Sequence, residues 1–405
     1  MKIRAITGFV DPGWPLDAGS IQAVAACMHE MREAFDQAGY EIQTMRLATP
    51  PPSEITAPVP PKERPAFASE LEAQCFVHGI DYANIGPALP EEPEGFEAIP
   101  EILGAAEIIF CSGLYADPET GLSIRAAEAC AQAMLDASTV SPDGFSNLRF
   151  AALANVPPGS PFFPAAYHRG GRAAIAVATE SADLAVESVQ EARSLTTVRQ
   201  HLVTSIETHA GAISLAAEPI AAEHSIRYLG IDFSLAPYPE PERSLGTAIE
   251  ALSAADVGLH GTVAAAAFLA DCLDQAQFQR TGFCGLFLPV LEDSALAARA
   301  AQGSLGLKDL LLLSTICGTG LDTIPLPGDV DHSAATALLI DLGALALRHD
   351  KPLTARLMPI PNKSAGDEIH FDFPYFADSR VMSLPDQPLS ELWTSSGLLD
   401  LSRRL

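Results

Sequence analysis

A cysteine, two glycines and an aspartate stand together in the segment Cys317-Gly-Thr-Gly-Leu-Asp322, directly after an apolar run. A thiol at such a turn can act as a nucleophile if its surroundings lower its pKa. Gly318 and Gly320 let the backbone turn at positive φ and approach a ligand, so that successive N–H groups can bind an anion. We therefore expect Cys317 and Asp322 to be catalytic, and Gly318, Thr319 and Gly320 to bind substrate. The alternative is a buried, inert cysteine before a tight turn.

A second polar group follows the predicted strand Arg227–Ser234. Asp232 and Ser234 alternate with apolar residues at the carboxyl end of this strand, which is where α/β folds place their sites. The pattern predicts Asp232 as an acid or base and Ser234 as a substrate contact. The alternative is an ordinary strand-end turn, with Ser244 capping the next helix.

Two further segments have the composition of a binding surface. The non-helical stretch Gly159–Arg169 contains two phenylalanines followed by Tyr167 and His168, which suits the wall of a binding site. For the two phenylalanines, packing on the core is the alternative. Arg356, in a chain with few lysines, could bind an anion through its planar guanidinium.

A cation site is a weaker hypothesis. Asp329, Asp331 and His332 could bind a metal through oxygen and imidazole ligands, although an aspartate in front of a helix is commonly its N-cap. His-Glu-x-x-His and Cys-x-x-Cys do not occur in the sequence, so a closely spaced zinc site is not predicted. Gly318-x-Gly320 lacks the third glycine of a dinucleotide fingerprint and precedes what we interpret as a loop. The sequence assigns no cofactor.

Composition excludes some functions. The chain has 405 residues, 48% of them hydrophobic, and a formal net charge of −27. Such a charge repels phosphate backbones and anionic lipid, so we expect a small-molecule ligand and neither nucleic acid nor membrane as a partner. No apolar run reaches the ~18 residues of a membrane span. Seven cysteines without paired spacing and the lack of a signal-like N-terminus predict a cytoplasmic protein with reduced thiols.

The elements that must position these residues alternate between strand and helix. Alternating apolar strands and amphipathic helices indicate βαβ units and a mostly parallel sheet. We predict a single α/β domain over residues 1–405, with 385–405 as a peripheral tail, and a homodimer as the oligomer. The predicted strands are Lys2–Phe9, Tyr40–Ala48, Ile108–Gly113, Arg149–Asn155, Ala173–Ala178, Arg227–Ser234, Cys284–Val290 and Thr354–Ile360.

Taken in order, these motifs resemble an uncharacterised family known as domain of unknown function 711. The matching stretches are Pro161–His168, Ile231–Pro237, Thr281–Asp293, Arg356–Asp367 and, most specifically, Cys317–Asp329. The resemblance covers roughly residues 1–385. The family is similar in fold to pyruvate formate-lyase and anaerobic ribonucleotide reductase, which implies a large α/β barrel of two parallel half-sheets with a loop entering the barrel.

The resemblance supplies no reaction. Glycyl-radical enzymes of that type need an Arg-Val-x-Gly segment, whereas this chain has Ser383 after Arg380-Val381-Met382. We therefore expect no glycyl radical. The leading hypothesis is an enzyme that acts on a small anionic metabolite in a barrel cavity with Cys317 as the reactive group. The alternatives are a non-catalytic small-molecule binding protein and a metal-dependent enzyme.

Overall fold

The protein is a mixed α/β structure with one large, mostly parallel sheet and a separate two-stranded sheet. The computed structural model describes residues 1–403. The strands of this part of the chain are β1 Lys2–Phe9, β2 Ile42–Ala48, β3 Tyr82–Asn84, β4 Ile109–Asp117, β5 Gly121–Ser123, β6 Phe150–Ala154, β7 Ala174–Glu180, β8 Arg227–Asp232, β9 Gly320–Pro327, β10 Leu353–Ile360, β11 Glu368–Ile369, β12 Ser379–Arg380 and β13 Leu398–Leu399.

The helices lie between these strands in sequence. They are α1 Ala18–Gln37, α2 Arg64–Val77, α3 Pro93–Glu97, α4 Ile99–Ala105, α5 Ile124–Ala137, α6 Ala182–Glu191, α7 Leu195–Glu223, α8 Leu245–Ser253, α9 Thr262–Gln275, α10 Ser294–Gln302, α11 Leu307–Ser314, α12 His332–His349 and α13 Glu391–Thr394, with short 3-10 turns at Pro61–Glu63, Phe145–Arg149 and Pro241–Arg243. None of the described helices is long and apolar enough to cross a membrane.

Within residues 1–403 the sheet has 11 strands, and its main path runs β8-β7-β1-β2-β3-β4-β6-β10-β9. β1, β2, β3, β4 and β6 are parallel to one another. The β7–β1 and β6–β10 pairs are antiparallel, so β7 and β8 on one side, and β10 and β9 on the other, run against the central block. As a result, the amino ends of the central strands lie at the same end of the sheet as the carboxyl ends of the flanking ones.

The strand path is open, so the regular sheet of the described residues is not the closed barrel that we expected. The predicted strand Cys284–Val290 is instead extended chain without a regular ladder. The edge-bridging segment, residues 279–291, contacts both edge strands. It bonds to β8 through Ile231 N and Gln279 O (2.9 Å), and to β9 through Val290 N and Asp322 O (3.0 Å).

Strand β9 is the main element that the sequence interpretation missed. The apolar run before Cys317 is helix α11, and Gly320–Pro327, interpreted as a loop, is a fully buried strand. Pro325 and Pro327 argued against a strand because proline cannot donate to a ladder. They are tolerated because β9 is an edge strand of the path, and its regular ladder is with β10 on one side.

The two faces of the sheet are buried by different partners. Helices such as α1, α5, α7 and α12 cover one face with the main hydrophobic core. On the other face, the chain after β6 brings Phe163 against Phe9 and Phe110. This second face carries the candidate site. The C-terminal residues return to the sheet, where β13 pairs with β5.

Candidate functional site

A cavity of about 360 Å³, here called the central cavity, lies on the loop-covered face of the sheet. Its floor is formed by side chains of β1, β2, β3, β7, β8 and β10, and its cover by Phe145 and by Phe373 and Tyr375 of the C-terminal loop. Small-molecule sites in proteins typically have volumes of ~300–1,000 Å³. The central cavity is therefore of the size that suits a small metabolite.

A chain of buried ion pairs crosses one side of this cavity. Glu180 accepts from Arg243 and from Arg4 (Nη1 to Oε2, 2.9 Å), and Arg4 also pairs with Glu292. Glu292 then accepts from Arg356 Nη2 (2.8 Å). The cations and carboxylates alternate along this chain, so each charge has a partner of opposite sign. This arrangement offsets the desolvation of buried charges.

Asp322 ends this chain of ion pairs. Its Oδ1 accepts from Arg356 Nε at 2.6 Å. Burial raises the pKa of Asp322, and Arg356 opposes that shift. For Arg4, burial alone would lower the pKa, but Glu292 and Glu180 raise it above the usual value. The predicted substrate contact Arg356 does line the central cavity, with its charge already shared between two carboxylates.

Arg46 differs from the other arginines of the cavity. It projects from β2, and its Nε donates to Thr44 Oγ1 (2.8 Å). Thr44 in turn donates to the carbonyl of Arg4 (2.8 Å), so its hydroxyl oxygen is oriented to accept from Arg46. Within residues 1–403, Arg46 has no ion pair, and its two Nη atoms have no hydrogen-bond partner. Burial and the neighbouring Arg4 lower the pKa of Arg46 to about 10, so it stays a cation at neutral pH.

Asp232 lines the central cavity as a buried carboxylate. It accepts from the hydroxyl of Ser234, from Phe283 N (3.0 Å) and from Cys284 N (2.9 Å). Burial raises the pKa of Asp232, and these three donors oppose the shift. The sequence-predicted pair Asp232 and Ser234 is thus brought together at the cavity wall, where it also holds the edge-bridging segment.

Cys317, Gly318 and Gly320 lie outside the lining of the central cavity. The described residues that line the central cavity include Asp232 and leave out both Asp322 and the turn Cys317–Gly320. The thiol of Cys317 is buried and accepts from Gly320 N at 3.4 Å. Gly318 crosses Gly285, where a Cβ on Gly285 would lie 2.5 Å from the Gly318 Cα. Thr319 is fully buried, and its Oγ1 has no hydrogen-bond partner among the described residues.

The remaining predicted residues lie at separate positions. Tyr167 donates to the carbonyl of Val156 (2.8 Å). His168 is buried beside Phe9, and burial lowers its pKa. Neither of these two side chains lines the central cavity.

The weak metal candidates have structural partners. Asp331 is the N-cap of α12 and accepts from Ala334 N (2.9 Å), while His332 Nε2 contacts the carbonyl of Glu128 (3.0 Å). Asp329 is exposed. Among residues 1–403, no group of three or more histidine, cysteine, aspartate or glutamate side chains is placed to hold a metal ion.

Comparison with known proteins identifies the family. The family profile described as uncharacterised ACR (DUF711) matches residues 1–378. The chain belongs to the DUF711 family. It is 31% identical to a UPF0210 protein of Pyrobaculum islandicum over 346 residues, which cover 81% of this chain and 76% of that relative. UPF0210 proteins of Clostridium perfringens and Neisseria meningitidis are 25% and 26% identical, each over 82% of this chain and 77% of the relative.

The sequence interpretation missed the most informative residues of the site. Thr44 and Arg46 stand two residues apart in strand β2, and this period-two spacing is a signal for a polar spot on one sheet face. Arg4 and Glu292 are separated by 288 residues, so no local pattern could pair them.

Proposed function

We propose that the protein is an enzyme that acts on a small anionic metabolite bound in the central cavity. The observation that carries the proposal is the Arg46 guanidinium, a half-buried cation without an ion-pair partner among the described residues of a strongly acidic chain. A buried cation is costly to leave uncompensated. A bound anion would supply the missing charge.

Asp232 is the proposed acid or base because it is a buried carboxylate of the cavity wall outside the chain of ion pairs, whereas Glu107, which also lines the cavity, is exposed. Burial raises the pKa of Asp232, and a carboxyl group with a raised pKa holds its proton more readily than an exposed one does. Catalysis by Cys317 stays a hypothesis. It requires the thiol to become accessible to the ligand, and thiol titration of the native protein tests that requirement.

A non-catalytic binding protein is the second candidate. It is favoured by the hydrogen bonds of Asp232, since both oxygens accept from backbone N–H groups. A carboxylate held in this way stabilises the loop and is a weaker base.

Capture of the natural ligand tests the proposal. Wild-type protein, Arg46→Met and the control Arg193→Met, which removes an exposed arginine, are incubated with a filtered metabolite extract of the source organism. They are then separated from unbound compounds and analysed by mass spectrometry. We expect an anionic compound to be retained by wild-type and Arg193→Met, and at least about tenfold less by Arg46→Met. Equal retention by all three proteins would contradict the proposal.

Turnover separates the two candidates. The captured compound is incubated with a substoichiometric amount of protein. Conversion beyond one equivalent supports an enzyme, and recovery of the unchanged compound supports a binding protein.

We propose that the architecture is a barrel of the pyruvate formate-lyase type. If the edge-bridging segment is counted as a strand between β9 and β8, the sheet consists of two blocks of five parallel strands. The two blocks run antiparallel to each other. Its parallel bridges Ile231–Arg280 and Leu235–Leu286 support this proposal. Cytoplasmic location and a homodimer stay predictions. Light scattering at the 42.7 kDa mass of one chain would contradict the dimer.

A further inference from the structure

We infer that the ligand of the central cavity is a small aromatic monocarboxylate. This inference rests on the proposed function and specifies its substrate class. It combines the charge balance of the cavity, the free edge of one guanidinium and the chemistry of the walls.

The charge balance indicates a single negative charge. Arg4 and Arg356 are each paired with two carboxylates, and Arg149, which also lines the cavity, donates to the carbonyls of Leu103, Ala106 and Ile109. Arg46 therefore has the one guanidinium available to a ligand. A second negative charge on the ligand would lie near Glu292 and Asp232, which line the same cavity. Like charges in such a site repel each other.

The free edge of Arg46 suits a carboxylate. Since Nε is bonded to Thr44, the two Nη atoms remain as a pair of parallel donors. A guanidinium edge of this kind binds the two oxygens of a carboxylate in bidentate geometry. The guanidinium carbon lies 5.2 Å from the Phe163 ring centroid, which holds the group against the wall. Tyr82 lies opposite Arg46 in the register of β2 and β3, and its hydroxyl has no hydrogen-bond partner in the described chain.

The rest of the wall is aromatic. Phe110 packs edge-to-face on Phe163 with ring centroids 5.4 Å apart, and Phe162 packs in the same way on Phe287 at 5.1 Å. Phe373 of the cover completes this lining. Edge-to-face clusters present ring edges and faces that a further flat ring can join.

Three polar side chains of the wall are already bonded within the protein. Gln43 donates to Glu180 (2.7 Å), Thr179 donates to the carbonyl of Ser234 (3.2 Å), and Ser234 donates to Asp232. The hydroxyls of a polyhydroxylated ligand would compete with these three bonds, and hydroxyls left without partners would cost binding free energy. An aromatic ring has no hydroxyls that need partners and therefore does not carry this cost.

Five probes test the inference by calorimetric titration: phenylacetate, its neutral amide phenylacetamide, acetate, succinate and inorganic phosphate. We expect wild-type protein to bind phenylacetate at least about tenfold more tightly than any of the other four. Arg46→Met should weaken phenylacetate at least about tenfold, and Arg46→Lys should restore part of that loss. Arg193→Met should bind as wild-type does. Circular dichroism of each variant excludes loss of fold.

A second pair of variants tests the walls. Phe373→Leu, at the partly buried cover, should weaken phenylacetate binding by about threefold or more, because it removes an edge-to-face contact with the ligand ring. Phe76→Leu, at a ring that is 63% exposed on α2, should have no effect.

The outcomes separate this inference from the proposed function. Binding of succinate, phosphate or acetate as tight as that of phenylacetate, and lost in Arg46→Met, would overturn the aromatic monocarboxylate while supporting an anionic ligand. Absence of binding by all five probes would overturn the inference, and the extract capture would then decide the proposed function. Retention of no anion in that capture would overturn both.

Discussion

Glu292 is a buried carboxylate that pairs with two arginines. It accepts from Arg4 and from Arg356, and thereby joins β1 to β10 across the cavity. Removing one partner of a buried ion pair leaves the other charge uncompensated, which costs more than the pair itself contributes.

Glu292→Gln should therefore lower the free energy of unfolding by ~3–5 kcal/mol, measured by urea denaturation. The matched control is Glu41→Gln, which breaks the exposed pair with Lys2 (2.7 Å) and should change stability by less than ~0.5 kcal/mol. Equal effects of the two substitutions would show that the Glu292 pairs are not buried in solution.

The buried imidazole of His168 should make the stability of the protein depend on pH. Burial lowers its pKa from 6.5, so the unfolded chain binds its proton first as the pH falls. Its contribution to stability is thus fully present above pH ~6.5 and is lost as the pH falls towards the folded-state pKa.

His168→Leu should flatten the loss of stability below pH ~6.5, measured by urea denaturation at several pH values. The exposed His370 is the control, because Asp378 raises its pKa and the sign is opposite. His370→Leu therefore cannot remove an acid-induced loss. An unchanged acid slope in His168→Leu would mean that the ring is hydrated.

At the scale of elements, the loop of the edge-bridging segment is shaped around the Asp232 carboxylate. Gly282 adopts φ +67°, and a Cβ there would lie 2.3 Å from Asp232 Oδ2. The glycine is needed both for its conformation and for the space that the carboxylate occupies.

Gly282→Ala should lower the free energy of unfolding by more than ~2 kcal/mol, because a side chain at positive φ also displaces a buried, hydrogen-bonded carboxylate. Gly39→Ala is the control. It has φ +86° and no atom within 4 Å of the added Cβ, so its cost should be the backbone strain of ~1 kcal/mol. If urea denaturation shows similar losses of unfolding free energy for Gly282→Ala and Gly39→Ala, the clash of the added Cβ with Asp232 does not destabilise the protein.

At the scale of the whole molecule, the two edges of the sheet are joined where Gly285 crosses Gly318. Leu235 N donates to Gly285 O (3.0 Å) on the β8 side, and Gly318 N donates to Leu286 O (2.7 Å) next to β9. Two glycines are required because any Cβ would fall within 3 Å of the other backbone.

Gly285→Ala should destabilise the fold by ~1–3 kcal/mol, through forced separation of the two backbones. Amide hydrogen exchange should accelerate at Leu235 and Val290, whose bonds lie on opposite sides of the crossing. Gly211→Ala is the control within α7, where the added Cβ meets no atom within 4 Å and should stabilise the helix by up to ~1 kcal/mol. Unchanged exchange at both amides would show that the crossing does not hold the edges together.

The sequence by itself determined most of the elements, the fold class and the family. Period-two and period-3.6 patterns predicted β1, β2, β6, β8 and β10 within a few residues, because those patterns reflect the burial of one face. The local chemistry of caps was also readable, as with Ser244 and Asp331. Asp232 and Ser234 were placed at a strand end for the same local reason.

Only the tertiary structure decided which residues share the cavity. Strand β9 depends on its place at a sheet edge, since a buried proline strand is otherwise disfavoured. Cys317 and Asp322 lie five residues apart in sequence, yet the thiol faces Gly320 and the carboxylate faces Arg356. Arg46 can be recognised as the cavity arginine without an ion pair among the described residues only when the partners of the other cavity arginines are known. Charge pairing and backbone crossings join residues distant in sequence, so they are set by packing and leave no periodic trace in the chain.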